Sequence, residues 1–191
     1  MEVKQNKGIL SLQLFSPASC RSYIRTSNAE NNWVAAPVYK DEADGYYGSE
    51  IKTEYRSASA FSPDSHSAIR REFDRKVNSL IKPLVNRTWQ VNLTRHQATH
   101  VVRYSPGNFF TAHTDDVYER NYRYFTLVCY LNDDFKGGRT VFPLLNYAVT
   151  PRAGKVVVFP STYLHRADPV INGEKYIIVS WITGKPPIKW I

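Results

Sequence analysis

From about residue 98 onward the chain is a series of short β-rich runs cut by turn residues, and this leaves few folds open. The runs are Ala98 to Tyr104, Tyr124 to Leu131, Thr140 to Phe142, Lys155 to Phe159 and Tyr176 to Ile182. Between them lie Ser105-Pro106-Gly107-Asn108, Asn132-Asp133-Asp134, Lys136-Gly137-Gly138, Arg152-Ala153-Gly154 and Asn172-Gly173. Gly, Pro, Asn and Asp at such spacing mark turns between strands, not breaks between helices. Many short strands of this kind imply a mainly β fold with a jelly-roll core, a double-stranded β-helix.

The upstream part has a different pattern. Ile9 to Phe15 reads as a strand, and Ser16-Pro17-Ala18-Ser19 as a turn capping a helix that holds Cys20, Tyr23 and Ile24. Asn28 to Ser49, rich in Asn, Asp, Gly and Tyr, reads as a long loop; with Trp33, Tyr39, Tyr46 and Tyr47 it suits a lid. Ile69, Phe73, Val77, Leu80, Ile81 and Leu84 recur at helical spacing over His66 to Leu84, with Pro63-Asp64-Ser65 before and Pro83 closing the segment. The expected plan is one domain over 1–191: supporting helices over about 1–90 and a jelly roll over about 91–184.

A chain of 191 residues can bury a core without staples, and two cysteines, Cys20 and Cys129, are too few for a disulfide framework. The N-terminus does not read as a signal peptide, and no run of about 18 apolar residues occurs, so a cytoplasmic protein is expected. Lysine and arginine exceed acidic residues by 25 to 17, a net charge of +8. That balance favours anionic partners, but no dense basic run marks a nucleic-acid surface.

Among five histidines, His66 reads as a capping or surface residue, and His96 and His100 as hydrogen-bonded residues flanking a strand start. His113 and His165 stand apart. In extended chain, residues i and i+2 share a face, so His113-Thr114-Asp115 brings an imidazole and a carboxylate together. His165, in a polar turn after the strand Lys155 to Phe159, supplies a third ligand. Two histidines and one carboxylate form the facial triad of non-haem iron(II) oxygenases, which leaves positions open for reactants. Asp116 is the rival carboxylate and points to the opposite face of a strand. Lys175 begins an apolar run; a cation there either marks an exposed strand start or enters the interior to meet an anion.

Longer motifs connect these residues. Leu14-Phe15-Ser16-Pro17…Cys20, Tyr55-Arg56-Ser57-Ala58-Ser59-Ala60-Phe61, Arg103-Tyr104-Ser105-Pro106-Gly107-Asn108-Phe109-Phe110…His113-Thr114-Asp115, Tyr130-Leu131-Asn132, Gly137-Gly138-Arg139-Thr140-Val141-Phe142-Pro143 and His165…Pro169-Val170…Gly173…Lys175…Trp181 follow in order. Together they resemble the prolyl 4-hydroxylase branch of the 2-oxoglutarate and iron(II)-dependent dioxygenases over about residues 14 to 182.

The resemblance implies roles. His113, Asp115 and His165 would be the metal ligands, and Lys175 would pair with the distal carboxylate of 2-oxoglutarate. Tyr104 and Tyr130 would be donors near that cosubstrate, with Thr126 lining the same pocket. Arg123 and Trp181 would contact substrate. It further implies Fe(II), 2-oxoglutarate, O₂ and, as an accessory reductant, ascorbate. The expected reaction is hydroxylation of a C–H bond on a prolyl or amino-acid-like substrate, or the same chemistry on another small metabolite. Two alternatives remain at this point: a nucleic-acid oxidase of the same superfamily, suggested by charge, and a non-catalytic jelly-roll binding module. Strand edges and the tail Pro186 to Ile191 allow a homodimer without requiring one.

Overall fold

The computed structural model describes residues 2–41, 47–64, 67–97, 99–116 and 122–184, and of 39–41 and 47–50 the backbone alone. Expectations for His66, Tyr39, Tyr46, Tyr47 and the tail from Pro186 fall outside the described residues and side chains.

The chain opens with a hairpin of β1 (Val3–Asn6) and β2 (Ile9–Gln13). Its two turn residues, Lys7 and Gly8, have φ of 51° and 75°, the mirror-image turn that matches strand twist. A side chain at Gly8 would also collide with the Tyr163 hydroxyl, 2.4 Å from the position of its Cβ. Helix α1 (Pro17–Glu30) starts as its sequence predicts, with the Ser16 hydroxyl accepting from the Ser19 amide at 3.1 Å.

The segment Asn28 to Ser49 departs from expectation. α1 continues through Glu30 before Asn31 ends it in the left-handed region, and β3 (Val34–Ala35), β4 (Val38–Asp41) and β5 (Tyr47–Glu50) come next, then β6 (Ser59–Phe61). Trp33 is no lid residue: it packs edge-on against Phe61, with centroids 4.9 Å apart, and under the Arg103 guanidinium.

The long helix also runs further than Pro83 suggests. α2 (Ala68–Lys76), capped by Ser67, passes through a π-helical turn over Val77–Ile81 into α3 (Lys82–Trp89). In a regular helix the proline ring would strike the carbonyl four residues back; the wider turn just before it relieves that clash. The extra residue in that turn also rotates α3 relative to α2. Leu80, expected on the apolar stripe, is 38% exposed, while Val85 is fully buried.

The remaining strands are β7 (Arg95–His96), β8 (His100–Tyr104), β9 (Phe110–His113), β10 (Arg123–Tyr130), β11 (Lys136–Gly137), β12 (Thr140–Phe142), β13 (Tyr147–Ala148), β14 (Lys155–Pro160), β15 (His165–Ala167), β16 (Val170–Asn172) and β17 (Lys175–Thr183). β11 and β16 pair with each other as a separate ribbon, and the others build two facing antiparallel sheets. The larger runs β1-β2-β14-β10-β17-β8-β6-β3 with β7 on β17, and the smaller runs β13-β12-β15-β9. The fold is mainly β with a jelly-roll core, as the turn pattern predicts.

Why β10 and β17 read as nearly continuous apolar runs is now plain: both of their faces are covered. On one face Leu127, Cys129, Ile178 and Ile182 pack with Phe73, Val77 and Ile81 of the long helix. On the other, Val128, Tyr130 and Ile177 meet Val102, Phe142 and Phe159 between the sheets. Because strand residues alternate, Lys175, Ile177, Val179 and Trp181 of β17 share the inter-sheet face. Phe73→Ala, which empties a fully buried ring site, is expected to cost about 3–5 kcal/mol in urea denaturation, against under about 0.5 kcal/mol for Leu144→Ala at an exposed position. No described helix is long and apolar enough to cross a membrane.

Candidate metal centre and adjoining cavity

β9 and β15 pair so that His113 and His165 lie directly opposite one another. The strand ends at His113, and the chain then bends, pinned by the Asp115 amide donating to the Ser161 carbonyl at 2.8 Å. This turns Asp115 inward, 8% exposed, while Asp116 stays on the surface. The Asp115 oxygens lie 3.5 Å from Nε2 of both His113 and His165. All three ligand atoms fall within 4.8 Å of one another.

Each imidazole is oriented from behind. Nδ1–H of His113 donates to the Thr111 carbonyl at 2.7 Å, and Nδ1–H of His165 to the Tyr163 carbonyl at 2.9 Å. That tautomer leaves both Nε2 lone pairs facing the carboxylate, the arrangement a metal ligand needs. Phe110 stacks on His113 at 3.6 Å, and Phe159 meets His165 edge-on at 4.8 Å. The carboxylate is held as well: the Thr126 hydroxyl donates to Asp115 Oδ2 at 2.8 Å and lies 3.0 Å from the Ser161 hydroxyl.

The charges suit a cation. Burial would push the Asp115 carboxyl up, but the two imidazoles outweigh it and hold it well below the usual carboxylate range. The Trp181 indole N–H adds to this from nearby, though it meets no acceptor at hydrogen-bond geometry. Burial pushes His165 down to about 4, opposed by Asp115, so it is neutral near pH 7. One buried carboxylate faced by two imidazole Nε2 atoms is the donor set of a divalent metal site.

His165 also predicts a pH effect. Its folded pKa of about 4 lies below its ordinary 6.5, so the unfolded chain binds more protons between those values. The melting temperature of the metal-free protein should therefore fall as pH drops from 6.5 to 4. A flat profile over that window would contradict the buried neutral imidazole.

The centre opens into a cavity of about 490 Å³ between the sheets. Lys175 enters it from β17, 1% exposed, opposite Tyr104 of β8. The reading of Lys175 as an exposed strand start is therefore excluded. Its ammonium donates to the Gly138 carbonyl at 2.8 Å and lies 4.7 Å from the Tyr104 ring centre and 5.8 Å from that of Tyr130. Gly138, at φ 58°, leaves this approach open; a Cβ there would sit 3.3 Å from Lys175 Cδ. Burial pushes the Lys175 ammonium down to about 7, with Asp168 opposing. No described carboxylate lies within ion-pair distance of it.

The other expected site residues fall around this cavity with some differences. Tyr104 lines it directly, but Tyr130 does not reach its wall; the Tyr130 phenol donates to the Thr140 hydroxyl at 2.6 Å, and Thr140 is the residue on the wall. Thr126 lines it and also serves Asp115. Arg123 and Trp181 form a stacked pair, the guanidinium carbon 3.6 Å from the ring centre, with Arg123 Nε donating to Gln97 at 2.7 Å. His96 and His100 are hydrogen-bonded, to Asp74 and Ser62, and His100 also lines the cavity. Thr140, Gln97 and Arg56, another lining residue, carried no role in the sequence reading. The alternation of β12 is the one signal that could have turned Thr140 inward.

Comparison with known proteins agrees with this picture. Residues 99–183 match the model of the 2OG-Fe(II) oxygenase superfamily. A candidate prolyl 4-hydroxylase of Acanthamoeba polyphaga mimivirus is 31% identical over 131 residues, covering 56% of this chain and 54% of that protein. A PKHD-type hydroxylase of Prochlorococcus marinus is 29% identical over 148 residues, covering 72% and 62%. The chain thus spans about half the length of the first of these curated relatives. A crystal structure of a Pseudomonas putida prolyl-4-hydroxylase superposes with a TM-score of 0.71 at 21% identity, covering 93% of both chains. The chain resembles the prolyl 4-hydroxylase branch in motif order and in fold.

Proposed function

We propose that this chain is a 2-oxoglutarate- and Fe(II)-dependent dioxygenase that hydroxylates a C–H bond of a prolyl or amino-acid-like substrate. The observation that carries the reading is the pairing of two features in one cavity. His113, Asp115 and His165 converge with free donor atoms, and Lys175 stands buried beside them without a carboxylate partner among the described residues. A buried ammonium is costly unless an anion joins it, and a dicarboxylate bound at the metal supplies one.

In this account His113, Asp115 and His165 would hold the metal, and Lys175 would receive the distal carboxylate while Tyr104 walls its side. Iron held there would, with O₂ and 2-oxoglutarate, supply the oxidising power for hydroxylation, the 2-oxoglutarate ending as succinate and CO₂. The rest falls to the chain. Thr126, by donating to Asp115 Oδ2, fixes the carboxylate between the two imidazoles that would share a metal with it. Tyr130 orients the Thr140 hydroxyl on the wall. The Arg123 guanidinium, held flat on Trp181 and tied to Gln97, offers donors to a substrate carbonyl. Phe110, Phe142 and Phe159 pack around the imidazoles and limit water. Ascorbate would act as an accessory reductant. The names of the relatives favour a prolyl or related group as substrate.

The direct test is substrate-stimulated succinate release that requires both Fe(II) and 2-oxoglutarate. Release with neither requirement would end the proposal. Thr126→Val, which removes the donor to Asp115 and changes little in shape, is expected to weaken Fe(II) affinity by about 10–100-fold. Unchanged affinity in a metal titration would place Thr126 in packing alone.

A further inference from the structure

The outer wall of the cavity is charged in a way that the triad and cosubstrate do not use. If the site is read as above, the charges of a divalent ion, Asp115, the dicarboxylate and Lys175 cancel. Beyond them the wall carries Lys52, Arg56, Arg123 and Arg166, and among the described lining residues no carboxylate besides Asp115. Arg166 is answered by Asp168 at 2.8 Å, and Arg123 lies on Trp181. Arg56 is the distinctive one of the four.

Arg56 is built into the metal's surroundings. Its segment is laced to β9, with Thr111 N–H donating to the Tyr55 carbonyl at 2.8 Å and Ser57 N–H to the Phe109 carbonyl at 3.0 Å. Its guanidinium lies 4.8 Å over the Phe110 ring, which in turn stacks on His113. One end is tied down, Nη1 donating to the Pro37 carbonyl at 3.0 Å, and the guanidinium also interacts with the Tyr104 hydroxyl. Its guanidinium stands on the cavity wall, and among the described residues no carboxylate forms an ion pair with it. A partly desolvated guanidinium with no counter-charge beside it calls for an anion. The partner that matches a planar, two-donor cation in shape and charge is a carboxylate.

We propose that the substrate carries its own carboxylate and that Arg56 receives it, one aromatic layer away from His113. The substrate class is then a small free acid, such as an amino acid or an acylated amino acid, and not a residue within a neutral peptide. A cavity of about 490 Å³ that must also hold the cosubstrate suits a ligand of that size. The inference rests on the iron and 2-oxoglutarate reading and adds the charge of the substrate to it.

The test uses the full chain loaded anaerobically with Fe(II) and 2-oxoglutarate, reading how added ligands perturb the visible band of the complex. The ligands are matched pairs: N-acetylproline, N-acetylleucine and N-acetylphenylalanine, each against its carboxamide. The best acid should perturb the band at a concentration at least about tenfold below that of its amide, the difference one charge-assisted pair makes. Arg56→Gln should keep the band and lose the preference, and Arg56→Lys should retain part of it. Equal response to acids and amides, a preference that survives Arg56→Gln, or a band that no pair perturbs overturns the inference and leaves the iron reading standing. Loss of the band in Arg56→Gln overturns it too, by placing Arg56 with the metal. Absence of the band in the unaltered protein removes the underlying reading and this inference with it.

Discussion

Asp115→Ala should abolish Fe(II)- and 2-oxoglutarate-dependent substrate oxidation, with a loss beyond the about 10–100-fold typical of residues that only support a metal ligand. Asp116→Ala should leave the rate near that of the unaltered protein. The contrast follows from where the chain bends. Asp115 is turned between the two imidazoles by its amide bond to Ser161 and holds the only carboxylate among the described residues lining the cavity. Asp116, one residue on, is exposed. Succinate release measured at saturating iron decides it, and loss in the Asp116 variant alone would mean that the wrong carboxylate has been chosen.

Lys175→Met should act in opposite directions on binding and on stability. Removing the cation that meets the distal carboxylate is expected to cost about 3–5 kcal/mol, more than about 100-fold in 2-oxoglutarate affinity. Without cosubstrate, however, the buried ammonium is a burden on the fold, as its pKa of about 7 records. A methionine of similar length should therefore raise the stability of the ligand-free protein, by on the order of 2 kcal/mol at pH 7. The sign with pH is fixed. The folded pKa lies below the ordinary 10.5, so the cost of burial is full below about 7 and fades as pH rises towards 10.5. The gain from methionine should shrink over the same range. A variant that loses stability and keeps its 2-oxoglutarate affinity would assign Lys175 to the fold.

The sequence makes legible whatever local chemistry decides. The turn residues between β8 and β17 and the apolar runs of β10 and β17 identify a jelly roll, because turn geometry and two-sided burial are written locally. The spacing of His113 and Asp115 also points to two residues that do converge, though not quite for the expected reason: the strand stops at His113, and a bend, not the strand alternation, turns Asp115 inward. Features set by distant partners are less visible. Pro83 suggests a helix end only until the π turn over Val77–Ile81 is seen to make room for it. The two-residue strand β3 is too short to show a period, and its partner β6 lies some way along the chain, so pairing and not propensity makes it a strand. The Tyr130 to Thr140 bond, the Gln97 support of Arg123 and the stack of Arg56, Phe110 and His113 each join residues that only the tertiary register brings together.

The most direct test of the central claim is to add Fe(II) and then 2-oxoglutarate anaerobically to the metal-free protein and record the visible spectrum. The account predicts a weak charge-transfer band that needs both additions, disappears in His113→Ala, and in Lys175→Met demands far more 2-oxoglutarate. Iron that binds without ever giving the band would leave the metal site and remove the cosubstrate. Failure to bind iron at all would contradict the account at its root, since it would mean that His113, Asp115 and His165 converge for some purpose other than holding a metal.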